Sequence, residues 1–289
     1  MISGIRKIFS YKKGEKKGRN IVLTGIPRSG TTLACKLLLE YENTIALNEP
    51  LAADLFKKGH SPLDVVSQSF KSIRKGLLKT GYAPVRAKDG KITDNAYSSG
   101  DSSRKRVLQR SLVKFDKRLS SDFTLIMKHC AEFSLILPEL TEHYDCFAII
   151  RNPLSVIASW NSVNVPVSRG KIAKSRILLP SLYEELESLK TLEDKQFYIL
   201  NWYFSQFGNL AQQNIIKYED IIQSQGTALS VITAERRLSG NKLESRNDNP
   251  LYNKKNLSYM FDLLINRGGS FENYYSKSEI ENLAQELKL

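Results

Sequence analysis

The stretch IVLTGIPRSGTTLACKLL, residues 21–38, lays out a strand, a glycine-bounded turn and a helix in immediate succession. IVLTG is a short apolar run suited to a buried strand, and TTLACKLL carries the leucines of a helix set against a sheet. At such a turn, glycines let backbone N–H groups converge on an anion, and the helix dipole adds to the attraction. Gly25 and Gly30 keep the spacing of the nucleoside-triphosphate loop G-x-x-x-x-G-K-[ST], but Thr31 stands at the lysine position. The cation sits inside the loop instead, at Arg28, with Ser29, Thr31 and Thr32 as hydroxyl donors beside it.

Working outward, the same pattern recurs. TIALNEP (44–50), FTLIMKH (123–129), CFAIIRNP (146–153) and NIIKYED (214–220) are short β-rich runs that end in polar or charged residues. Helix-length segments such as AEFSLILPELTEHY and LEDKQFYILNWYFSQFGNLAQQ lie between them. The alternation predicts an α/β fold, an open parallel sheet with helices on both faces, P-loop-like in its first turn. Its ligand crevice should lie beyond the carboxyl ends of the strands, where the polar residues fall. Residues 55–120 break the alternation: SPLDVVSQSFKSIRKGLLKTG suits an amphipathic helix, and the stretch after it is turn-rich, with a polar run around Gly100. We expect this segment to pass over the crevice mouth as an insertion in a single domain spanning 21–289, preceded by a basic arm at 1–20.

The net charge of +13 is concentrated in two places. Residues 1–20 contribute +6 and residues 57–118 contribute +11, so the rest of the 289-residue chain is net negative. Such segments attract a polyanion, whether a nucleotide, an acidic acceptor or an anionic membrane touched by the N-terminal arm. No basic stretch is interleaved with aromatics in the manner of a nucleic-acid module, so no specific nucleic-acid partner is expected. No run reaches the roughly 18 to 20 apolar residues of a spanning helix, and the N-terminus lacks a secretory apolar core, which makes the cytoplasm the expected location. Cys35, Cys130 and Cys146 have no metal-like spacing and read as buried free thiols.

A second motif, RNPLSVIASW at 151–160, follows an apolar strand. Pro153 suits a first helical turn and Asn152 its cap. Alone, Arg151 and Ser159 would read as a salt-bridging arginine and a helix serine. Together with GIPRSGTTL about 120 residues earlier, the motif resembles the sulfotransferases that use 3′-phosphoadenosine 5′-phosphosulfate. NEP at 48–50, LIMKH at 125–129 and KYEDI at 217–221 fall where that family places related segments.

The resemblance implies that the loop from Pro27 through Arg28, Ser29, Gly30, Thr31 and Thr32 holds the 5′-phosphosulfate of the donor. It implies further that Arg151 and Ser159, eight residues apart, hold the 3′-phosphate. A sulfuryl group carries less charge than a terminal phosphoryl group, so neither the loop lysine nor a metal is expected. The implied reaction is in-line attack on sulfur by an acceptor hydroxyl or amine, with a general base and cations for the leaving phosphate. Two bases are open. Glu49 lies past a strand end where carbohydrate-modifying members often have Glu-Pro, which favours a carbohydrate-like acceptor, and the basic insertion favours an anionic one. His129 is the other, because the branch acting on phenols and alcohols uses a histidine shortly after a lysine. Lys128 and Arg28 are the expected cations for the leaving oxygen. Arg267, with Gly268 and Gly269, loosely resembles a family segment that closes over the 3′-phosphate. Two other readings stand beside this one: a P-loop kinase or other phosphoryl-transfer enzyme, and a non-catalytic nucleotide or polyanion binder.

Overall fold

The computed structural model describes residues 18–57, 59–98, 104–240, 242–247 and 251–289. Most of the basic arm expected at 1–20, and the polar run around Gly100, lie outside the described residues. The strands are β1 Asn20–Gly25, β2 Thr44–Asn48, β3 Tyr82–Ala87, β4 Gln109–Lys114, β5 Thr124–Lys128, β6 Asp145–Ile150 and β7 Ile215–Lys217. The helices are α1 Thr31–Leu38, α2 Pro62–Thr80, α3 Ala131–Leu135, α4 Leu137–Thr141, α5 Pro153–Asn161 and α6 Ser175–Leu178. They continue with α7 Pro180–Ser188, α8 Leu192–Phe207, α9 Tyr218–Gln223, α10 Lys254–Arg267 and α11 Lys277–Glu286. No helix among the described residues is long and apolar enough to cross a membrane.

Five strands form one parallel sheet in the order β2-β5-β1-β6-β7, as the alternation predicts. Period-two alternation sends successive side chains of β1 to opposite faces. Val22 packs in the larger core with α2, α3, α4, α5 and α8, whereas Ile21 and Leu23 pack in the smaller one against α1 and α9. The assignment of helices to faces follows the direction of each crossover. Only β1→β2 runs toward the β2 edge, and its helix α1 lies alone on its face until α9 joins it; β2→β5, β5→β6 and β6→β7 run the other way, and their helices take the opposite face. A single crossover hand requires this arrangement. It sets β1, whose connection leaves on one face, between β5 and β6, whose connections leave on the other, so the loop after Gly25 opens at the switch point.

Two expectations need correction. The segment 131–144 forms two short helices rather than one, because Pro138 cannot continue α3 and instead sits in the first turn of α4. The stretch read as turn-rich after α2 contains β3, which pairs antiparallel with β4 from Tyr82↔Lys114 to Ala87↔Gln109. Its Ala83 and Val85 join the larger core with Val113 of β4, so the hairpin is anchored to the sheet. Gly81, in the left-handed region at φ 74°, ends α2 and turns the chain directly into β3.

Two cations of the insertion are committed to the fold. Lys117 Nζ donates to the carbonyls of Leu39 and Thr44, each at 2.9 Å, and to that of Tyr41. Arg74 donates to Phe123 O and Arg19 O, both at 2.8 Å, and stacks on the Phe123 ring. These cations tie the strand starts together and are unavailable to a polyanion.

Candidate functional site

The loop is shaped by backbone constraints at its two glycines. Gly30 caps α1 at φ 92°, and a Cβ there would meet Tyr218 Cδ2 at 2.6 Å; a Cβ at Gly25 would meet the Ile149 carbonyl at 2.4 Å. Gly30→Ala should therefore destabilise the fold by roughly 1 to 3 kcal/mol, combining left-handed strain with a ring clash; denaturant unfolding checks it, and unchanged stability would contradict it. Trp160 Nε1 donates to Pro27 O at 2.7 Å, and Ser29 Oγ donates to Ile149 O at 2.7 Å, so both lock the loop onto β6 and α5. The Ser29 hydroxyl, expected as an anion donor, is buried and spent on that carbonyl. No side chain caps the first turn of α1, and its N–H groups have no intrahelical acceptor.

Arg28 lies at φ 75° and turns its guanidinium across the loop. Nε donates to Ser159 Oγ at 3.1 Å, the two terminal nitrogens approach Asn95 Oδ1 at 3.4 and 3.5 Å, and the group stacks 4.7 Å from the Tyr97 ring centre. Burial, then the like charge of Arg104, pulls its pKa down to about 10, so it stays a cation at neutral pH.

A cavity of about 360 Å³ opens on one side of the loop, lined by Arg28, Thr31, Thr32, Arg151, Ser159 and Tyr218 among others. Arg151 is buried; its guanidinium donates to Arg28 O at 3.2 Å, Arg246 O at 2.7 Å and Asn247 Oδ1 at 2.7 and 3.0 Å, and it stacks over Tyr218 at 4.4 Å. The segment 242–247 therefore closes this side, pinned also by the Tyr218 hydroxyl, which accepts from Arg246 N at 3.1 Å. Of the cavity's charges, Asp94 pairs with Arg246 and Glu244 with Lys242. Arg28, Arg104 and Arg151 have no carboxylate partner among the described residues. Three uncompensated guanidinium groups suit a ligand with several negative charges.

A second cavity, about 260 Å³, shares Arg28, Thr31 and Thr32 and is lined further by Glu49, Lys128, Arg86, Arg106 and Tyr203. Glu49 follows β2 at φ 48°, a left-handed position rare for a side-chain-bearing residue, and its N–H donates to Lys128 O at 2.8 Å. Its carboxylate meets three cations: Arg86 Nε at 2.7 Å, Arg106 at 3.1 Å and Lys128 Nζ at 3.4 Å. Burial alone would raise its pKa, but the charges of Lys128, His129, Arg86 and Arg106 outweigh burial and hold it down to about 2. Burial also works against the charge on Lys128, yet the charge of Glu49 and its contact with Lys128 Nζ push its pKa up to about 12.

A depressed carboxylate contributes stability above its unfolded pKa of roughly 4.3. That contribution is lost as the pH falls through about 2. Acid unfolding of Glu49→Gln should consequently be less pH-dependent than wild type in this window; superimposable acid transitions would contradict the ion-pair assignment.

His129, the rival base, faces elsewhere. Its Nε2 accepts from Leu51 N at 3.2 Å, its Nδ1 lies 3.4 Å from Glu132 Oε2, and the ring is buried against Phe133. Nε2 holds the turn after Glu49 and Nδ1 faces Glu132 of α3, and His129 does not line the cavity that Glu49 and Lys128 share. Arg267 pairs with Asp194 at 2.8 Å and lines a separate cavity with Phe197 and Asn201, apart from Arg151 and Ser159.

No protein-family model matches the chain, and no curated protein matches it. Among solved structures it is similar to the sulfotransferase domain of the Synechococcus olefin synthase, at 14% identity over 97% of this chain and 98% of that one, with a TM-score of 0.33. It is also similar to the sulfotransferase STF1 from Mycobacterium tuberculosis, at 11% identity over 94% of this chain and 76% of that one, with a TM-score of 0.32. At this level of likeness, function has to be argued from the chain's own residues.

Several site residues carry no motif in the sequence. Asn95, Tyr97, Arg86, Arg104 and Arg106 come from the insertion, and Arg246 and Asn247 from the segment after α9. The available signal was charge: the insertion's net +11 pointed to anion binding without saying which cations turn inward. Cys130, read as a packing thiol, is only partly covered and lines the Glu49 cavity, where burial raises its pKa and keeps it protonated.

Proposed function

We propose that this chain transfers a sulfuryl group from 3′-phosphoadenosine 5′-phosphosulfate to a hydroxyl or amine acceptor, with an anionic carbohydrate as the favoured acceptor class. The observation that carries the reading is the pair of cavities meeting at Arg28, Thr31 and Thr32. In-line transfer needs the entering oxygen and the leaving phosphate on opposite sides of sulfur. Glu49 and Lys128 line only one cavity, Arg151 and Ser159 only the other, and Arg28, Thr31 and Thr32 of the loop line both.

The donor cavity's volume falls within the roughly 300 to 1,000 Å³ usual for small-molecule sites, and its Arg28, Arg104 and Arg151, which have no carboxylate partner among the described residues, match a donor anionic at both ends. Arg151 and Ser159 would hold the 3′-phosphate, and Arg28 with the first-turn N–H groups of α1 the 5′-phosphosulfate. In the reaction the acceptor proton passes to a Glu49 oxygen as the acceptor–sulfur bond forms. The sulfur–oxygen bond to the 5′-phosphate breaks, and its electron pair stays on the phosphate, where Arg28, which lines both cavities, neutralises the developing charge, while Lys128, expected beside it, lines the acceptor cavity and pairs with Glu49. Glu49 is preferred to His129 because Glu49 lines the cavity and His129 does not, and both imidazole nitrogens are already engaged, Nε2 by Leu51 N and Nδ1 by Glu132.

Incubation with donor labelled at sulfur and a mixed pool of glycans should label the pool. ATP labelled at its γ-phosphate should label nothing. Labelling from ATP alone would replace this reading with phosphoryl transfer.

A further inference from the structure

Glu49 is surrounded by more cations than one carboxylate can neutralise. Arg86, Arg106 and Lys128 all pair with it, and among the described residues neither Arg86 nor Arg106 has another carboxylate partner. Arg86 Nε lies 2.7 Å from Glu49 Oε2, yet its N–H finds no acceptor in hydrogen-bond geometry and is buried without one. The contact is a charge pair that leaves a directed donor unused. Arg86 also stands directly opposite Arg110 in the β3–β4 ladder. Directly opposed like charges destabilise a strand pair. This surplus of positive charge sits on the wall of the cavity assigned above to the acceptor.

Resting on the sulfuryl-transfer reading, we propose that Arg86 and Arg106 are a binding site for an anionic group of the acceptor, a carboxylate or a sulfate ester near the accepting hydroxyl. Binding of that group draws both guanidinium groups off Glu49, which is then free to take the acceptor's proton. The planar fork of each arginine suits two-oxygen recognition of either anion. With the arginines engaged elsewhere, the carboxylate regains basicity only when a proper acceptor is present. A neutral acceptor leaves Glu49 clamped, so the same two residues set specificity and timing.

The probe is inorganic sulfate, titrated calorimetrically into the full chain already saturated with adenosine 3′,5′-bisphosphate. Wild type should bind sulfate weakly, because Glu49 competes for the same cations. Glu49→Gln should bind it about tenfold more tightly or better, and Arg86→Gln should abolish the gain. Arg106 is 47% exposed, so Arg106→Gln tests the site without disturbing the core, and it should lower sulfate affinity by about tenfold. Sulfate affinity unchanged in Arg106→Gln, or unchanged in a folded Glu49→Gln, would overturn the proposal. The saturation step separates the two claims: tight bisphosphate binding without these sulfate effects would leave sulfuryl transfer standing and remove the anionic-acceptor site.

Discussion

Glu49→Gln lowers turnover by about 10² to 10⁴, the usual cost of losing a general base, while nucleotide affinity stays nearly constant. The amide keeps the size of the side chain and an oxygen for Lys128, but it cannot accept a proton. Because Glu49 lines only the acceptor cavity, the loss should fall on kcat. The assay is the labelled-glycan transfer described above. Full turnover in the variant would remove Glu49 from the mechanism, and His129 would have to leave Leu51 N to replace it.

Arg28→Lys costs about 10² to 10³ in kcat/KM, the range for losing one donor aimed at developing charge. Charge alone is preserved, so the size of the effect tests the fork geometry. The guanidinium donates to Ser159, reaches Asn95 and stacks on Tyr97 at once, and a lysine ammonium is a point charge that cannot do all three. Arg28 lines both cavities, so the defect should appear in nucleotide binding and in transfer. Wild-type kinetics in Arg28→Lys would mean that only net charge matters at the loop.

The sheet was legible because its five strands are short apolar runs, each ending in polar residues, and burial on both faces leaves no other use for such runs. The cap of α5 was legible too, since Asn152 accepts from Leu154 N ahead of Pro153 as its side chain allows. The β3–β4 hairpin was not, because Pro84, Lys88, Asp89 and Gly90 give that stretch the chemistry of turns while its alternating Ala83, Val85 and Ala87 are too small to signal a strand. Helix α10 carries a stripe, Leu257, Met260 and Leu264, at helical spacing. Within the candidate site, Arg28, Thr31, Thr32, Glu49 and Lys128 line the cavities from loop and strand-end positions, whereas Ser29 and His129, named from equivalent positions, are engaged elsewhere. The partners of Glu49 and Arg151 could not be named from sequence, since Arg86, Arg106, Arg246 and Asn247 arrive by chain crossings of 37 to 96 residues that no local pattern encodes.

The most direct test is a calorimetric titration of the chain with adenosine 3′,5′-bisphosphate, AMP and ATP, without and with magnesium. A charged hydrogen-bonded contact to the 3′-phosphate contributes roughly 1.5 to 3 kcal/mol, so the bisphosphate should bind about 10-fold to 100-fold more tightly than AMP without magnesium. Arg151→Ala should erase most of that preference. ATP with magnesium binding best, or a preference that survives Arg151→Ala unchanged, would contradict the assignment of this site to a sulfuryl donor.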